Sequence, residues 1–124
     1  MQRHEGVDGQ TAAALRLDRA ALLDRLTPAP TIHPDADAMT EAMAARMLAD
    51  IRAARTAGGA CTLIVPVGPV GQYARLAATV LTEGDTLADT CFIVMDEYLD
   101  GAGRWIPATD PLSFRGHVFA HLRD

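Results

Sequence analysis

Two uninterrupted apolar runs, CTLIVPV at residues 61 to 67 and CFIVM at residues 91 to 95, constrain this chain more than any other feature. Neither alternates apolar with polar side chains, so both read as strands of a parallel sheet covered on its two faces. Between them, residues 71 to 82 set Tyr73, Leu76, Ala77 and Val80 at helical spacing. Strand, helix and strand within about 35 residues form the pattern of a right-handed crossover unit. The two strands are therefore expected to run parallel and side by side.

The flanking segments read as helices. Residues 11 to 26 place Leu15, Leu22, Leu23 and Leu26 among Arg and Asp, and Pro28 and Pro30 end the pattern. Residues 36 to 56 follow, with caps near Asp35 and Asp37, a packing face of Met39, Met43, Met47 and Ile51, and a stop at Gly58 and Gly59. After the Gly/Pro-punctuated loop DGAGRWIPATDP, a last helix near 111 to 122 presents Phe114, Val118, Phe119 and Leu122. This divides the chain into an N-terminal helical extension, 1–30, and an α/β part, 31–124.

Parallel sheets of this kind usually carry about five or six strands. The expected fold is thus α/β, a Rossmann-like parallel sheet with flanking helices, cut short after its second or third strand–helix unit. Such a piece is expected to be inactive and poorly stable alone. Its exposed sheet edge invites association, which leaves a homo-oligomer open.

Composition narrows the function. A formal charge of -5 and a pI near 5.2 disfavour a nucleic-acid groove, which needs clustered basic charge. All 11 basic residues are Arg, so no lysine is present for Schiff-base chemistry. Cys61 and Cys91 each open an apolar run and have no metal-ligand neighbour at short spacing, which fits buried free thiols in a reducing cytoplasm. The polar opening MQRHEGVDGQ lacks a signal-peptide core, and no apolar run approaches the roughly 20 residues that span a bilayer. The reading is a cytoplasmic protein without a membrane partner.

In open parallel sheets, ligands collect beyond the carboxyl ends of the strands. Two segments leave such ends here. The first is the turn Pro66, Val67, Gly68, Pro69, Val70, Gly71, where glycines and a helix start can cradle an anion, although any crossover needs a Gly/Pro turn. No Walker lysine and no full GxGxxG is present. The second is Asp96, Glu97 and Tyr98. Alternation along an extended chain puts Asp96 and Tyr98 on one side and Glu97 on the other. A carboxylate between apolar walls and N–H donors can be tuned for acid/base work, which makes Asp96 the candidate. The structural alternative is that Glu97 caps a helix or pairs with Arg104, while Asp96 begins a solvated turn. His33, His117 and His121 read as surface or packing residues. His117 and His121 lie one helical turn apart but lack a third ligand, so no metal is expected.

The Asp96-Glu97-Tyr98-Leu99 sequence after an apolar strand, Asp110-Pro111-Leu112-Ser113-Phe114-Arg115 opening a helix, and the upstream Pro-x-Gly turn together resemble the glucosamine-6-phosphate deaminase/isomerase family. The likeness covers residues 31 to 122 in the family's order. It implies a sugar-phosphate substrate and no metal or organic cofactor. It also implies Asp96 as a base shuttling a proton between C1 and C2, with Gly68, Gly71, Glu97, Tyr98 and Ser113 around the substrate. Where the family presents Ser or Thr in the glycine turn, this chain has Gly68, Pro69, Val70 and Gly71. The family's later Asp-Gly-His and Asn-Glu elements have no counterpart before Asp124, and Trp105 lies in a loop that can reshape the entrance. Two further readings stand beside this one: a 6-phosphogluconolactonase-like hydrolase, and a non-catalytic sugar-binding or regulatory module.

Overall fold

The computed structural model describes residues 9–69 and 71–123, and the chain divides into two compact units at Ile32 and His33. Val70 of the glycine turn and most of the polar opening segment lie outside the described residues. In the first unit, one helix over 11 to 26 was expected. Two short ones are found instead, α1 (Gly9–Ala14) and α2 (Arg19–Leu23). The reason is local: the Asp18 side chain accepts a hydrogen bond from Ala21 N at 2.8 Å, so it starts a new helix rather than continuing the old one. Neither helix buries a residue fully.

The second unit runs α3 (Ala36–Thr56), β1 (Cys61–Val65), α4 (Gln72–Thr82), β2 (Thr90–Val94) and α5 (Phe114–Arg123). Asp35 caps α3 through Ala38 N at 2.7 Å. The buried line of α3 is Thr40, Ala44, Leu48 and Ile51. The methionine stripe expected to form its packing face is displaced to the flank of that line, with Met39, Met43 and Met47 half-buried. Small Ala44 lets α3 approach α4, where Leu76 and Val80 join Ala44 and Leu48 in one apolar cluster.

β1 and β2 pair in parallel, in register from Cys61 opposite Thr90 to Val65 opposite Val94. The molecule is thus a mixed α/β protein with a two-stranded parallel sheet and flanking helices. Side chains of Leu63, Val65, Phe92 and Val94 meet Met47, Tyr73 and Val118 from the three helices, so all three helices pack on one side of the sheet. The expectation that both faces are covered is corrected here. Ile64 is 68% exposed, Met95 64% and Ile93 48%, because no described element lies over the second face. The same alternation separates the cysteines. Both are free, but Cys61 is buried on the covered face while Cys91, expected to be buried, is exposed on the open one.

Ion pairs fasten the far end. Arg52 holds Glu83 and, at 2.8 Å, Asp85, while Arg55 reaches Asp85 at 2.6 Å and the Thr86 carbonyl at 2.6 Å. Hydrogen bonds from Arg52 and then Arg55 hold the Asp85 carboxyl well below the usual carboxylate range. Among the described residues no helix is long and apolar enough to cross a membrane.

Candidate functional site

Because β1 and β2 are parallel neighbours, the 66–71 turn and the Asp96 segment leave the sheet from the same edge. Met95 N donates to Val65 O at 2.9 Å, which carries the ladder one residue past β2. The chain then bends at Met95 and runs without regular structure through Asp96, Glu97 and Tyr98 before folding back. Leu99 bridges Trp105, and Ile106 N donates to Tyr98 O at 3.1 Å. Asp100 closes this return, accepting from Ala102 N and Arg104 N, both at 2.9 Å, and pairing with the Arg104 guanidinium at 3.0 Å. The Arg104 N–H leads the contacts that lower the Asp100 carboxyl below its ordinary value. The pairing of Glu97 with Arg104 that the sequence allowed does not form.

Glu97 instead does what the sequence left as its other structural option. Its Oε2 accepts from Ser113 Oγ at 2.7 Å and Arg115 N at 3.1 Å; its Oε1 accepts from Phe114 N at 3.1 Å and Tyr98 N at 3.0 Å. Ser113 Oγ accepts in turn from Gly116 N at 3.0 Å, and His117 N bonds Ser113 O. The N–H groups of Phe114, Arg115 and Gly116, which open α5 without a partner inside the helix, are thereby satisfied. Desolvation alone would push the Glu97 carboxyl up, but the Ser113 hydroxyl and the Arg115, Tyr98 and Phe114 N–H groups outweigh it and hold it at about 2. Glu97 is a fixed anion at neutral pH, spent on the helix start.

Asp96 is treated differently by its surroundings. It makes no hydrogen bond or ion pair among the described residues, and it lines a cavity of about 230 Å³. Apolar walls come from Phe92, Ile93, Val94 and Phe119; Glu97, Trp105 and Arg115 complete it. An unpaired carboxylate in an apolar cleft at a strand's carboxyl end can accept a proton from a bound carbon acid.

Of the residues read from the sequence, Asp96 and Glu97 meet at this cavity. Gly68, Gly71, Tyr98 and Ser113 are not among its walls. Tyr98 is 52% exposed and lies against Phe114, ring centroids 5.0 Å apart; Ser113 is buried under the Glu97 carboxylate. Gly71 caps α4 with φ 114°, packed near Thr40, and gives the first turn of α4 no side-chain cap. Beside it the Gln72 amide is buried with neither polar atom hydrogen-bonded. The rings of His117 and His121 touch edge to face at 4.8 Å, and among the described residues no three His, Cys, Asp or Glu gather to hold a metal.

The sequence reading assigned no role to Arg115, although a signal was present. It is an arginine on a helix with Pro111, Leu112, Val118 and Phe119 at the three- and four-residue positions where an acid would stand.

Fold and site together define an α/β chain with a small carboxylate-bearing cleft at the rim of a parallel strand pair. Comparisons with protein-family models, with curated proteins and with solved structures each find no match to this chain.

Proposed function

We propose that this protein acts on a small phosphorylated amino sugar, with Asp96 as the proton-transferring base of an aldose–ketose isomerisation that ends in ammonia loss. The observation that carries the reading is the contrast between two adjacent carboxylates. Glu97 is consumed by the start of α5, while Asp96 is left unpaired on the cavity wall. In the proposed step, Asp96 takes the proton from C2 of the ring-opened sugar and returns one to C1. The 2-amino aldose becomes a ketose imine, and water then releases ammonia and the ketose. Abstraction beside a carbonyl needs a carboxylate within hydrogen-bond reach, and typical gains from such a group are about 10²–10⁴-fold. Glu97 and Ser113 serve as positioning residues, setting the angle at which the chain leaves β2. The first turn of α4 beyond Gly68 and Gly71, which has no side-chain cap, is a second place where an anion can be steadied.

The proposed wider fold is a Rossmann-like sheet. Its support is the parallel pair with a crossover helix, and the bare face of Ile64, Ile93 and Met95, which in a sheet of that kind is covered by further elements.

Incubation with glucosamine 6-phosphate, following ammonia release and solvent deuterium incorporation into the ketose product, tests the reading. Asp96→Asn is expected to lose about 100-fold or more of the rate. Equal ammonia release from both proteins removes Asp96 from the mechanism. Saturable binding of the sugar phosphate without turnover favours the non-catalytic module instead. Turnover of 6-phosphogluconolactone alone favours the hydrolase.

A further inference from the structure

Arg115 stands apart from the other arginines whose side chains are described in the same unit. Arg46, Arg52, Arg55, Arg75 and Arg104 each pair with at least one carboxylate. Arg115 pairs with none among the described residues, although it shares a cavity with Asp96 and Glu97. Its position is nonetheless fixed. Nη2 donates to the Ile106 carbonyl at 3.2 Å, and the guanidinium carbon lies 5.9 Å from the centre of the Trp105 ring, within cation–π range. Its backbone N–H is held by Glu97 at 3.1 Å. Two nitrogens are left over. Nε is buried with no hydrogen-bond partner, and Nη1 has no partner yet is not sealed from solvent.

A pre-oriented guanidinium with unspent donors, in a cleft walled by Phe92, Val94 and Phe119, is a receptor for an oxyanion. Burial of an unmatched donor is costly, and a planar fork meets phosphate or carboxylate oxygens in pairs. The start of α5 cannot play this part, because Glu97 and Ser113 already occupy its N–H groups. We infer that Arg115, seated on Trp105, is the phosphate-recognition residue of this cavity, so that the anionic end of the ligand is gripped from α5 and not only from the glycine turn after β1.

The rest of the cavity limits the ligand. Its volume of about 230 Å³, below the roughly 300 Å³ at which drug-sized pockets begin, suits a monosaccharide-sized monoester. Asp96 on the same wall repels a second anionic group, so the other end of the ligand must carry hydroxyls or an amine. The class is a small phosphate monoester of a polyol or amino sugar. For the nature of that second end the inference rests on the reading proposed above; the anion grip at Arg115 does not.

Trp105 is the single tryptophan of the chain, so its fluorescence reports on this site directly. Titration with inorganic phosphate, glucosamine 6-phosphate and unphosphorylated glucosamine is expected to give saturable responses to the first two only. Arg115→Gln should weaken the phosphate ester by about 30-fold or more, as expected for removing one partner of a desolvated charge pair. Arg115→Lys, which keeps the charge and loses the fork, should fall between the two. Leu81→Ala, at a position 68% exposed on α4 and away from the walls of this cavity, should leave phosphate affinity within a factor of about 2. Far-UV circular dichroism of each variant checks that it is folded. Should Arg115→Gln unfold, Arg115→Lys carries the test. Absence of a saturable phosphate response in the unsubstituted protein, or unchanged affinity in either Arg115 variant, would overturn the assignment. Phosphate binding through Arg115 without ammonia release leaves it intact and defeats only the deaminase reading. Ammonia release with phosphate affinity indifferent to Arg115 does the reverse.

Discussion

Ser113 Oγ donates to Glu97 Oε2 at 2.7 Å across sixteen residues of chain, and this one bond ties the mouth of β2 to the first turn of α5. Around it the carboxylate accepts three backbone N–H groups, so the last segment before the cavity and the helix behind the cavity are set in a single orientation. Asp96 and Arg115 owe their common cavity to that tie.

Glu97→Gln should therefore destabilise the fold by about 2 kcal/mol at neutral pH, the scale of hydrogen bonds to a charged group. The effect has a pH signature. The folded carboxyl titrates at about 2 against an ordinary 4.5, so its contribution is fully present above about pH 4.5 and disappears as pH falls through about 2. Urea unfolding of both proteins across that range should show their midpoints converging toward the acid end.

Gly116 allows α5 to lie directly against the loop before it. A Cβ at that position would stand 2.0 Å from the Ala108 carbonyl oxygen, a backbone atom that cannot swing aside. Gly116→Ala should cost about 3 kcal/mol or more through forced displacement of the helix or loop. Gly101→Ala, where nothing stands within 4 Å, should stay within about 0.5 kcal/mol of the unsubstituted protein. Thermal unfolding of the pair separates a packing requirement from a general dislike of losing glycine.

Leu76 is wholly buried where α3 meets α4, and Leu112 is 65% exposed. Truncation of the first to Ala should cost about 3 kcal/mol and of the second less than about 0.5 kcal/mol. Chemical denaturation measures both.

The open face of the sheet should make the protein self-associate. Ile64→Thr combined with Ile93→Thr keeps β-branched side chains in both strands while removing apolar area from the exposed side. The double variant is expected to scatter less light and elute later on size exclusion at high concentration than the unsubstituted protein, with a similar unfolding temperature. Identical scattering would show that the face does not drive association.

Local chemistry was legible in the linear chain. The short apolar runs at 61 and 91 favoured strands by their length, the Asp35 cap and the Gly58 stop bound α3 almost to the residue, and a strand–helix–strand order pointed to the parallel pairing that the register confirms. These features depend on neighbours within a few residues or on one short connection. What lay beyond reach was anything decided by distant partners. An unbroken apolar run reads the same whether one face or both are covered, so the bareness of Ile64 and Ile93 became visible only once α3, α4 and α5 were all placed on one side. Likewise Asp96 and Glu97 are adjacent acids in the sequence. Only the folding of Ser113 and the α5 N–H groups onto one of them commits Glu97 to structure, leaves Asp96 unpaired, and brings Arg115 to the same wall, because hydrogen bonds and ion pairs between remote segments are settled by tertiary proximity rather than by residue type.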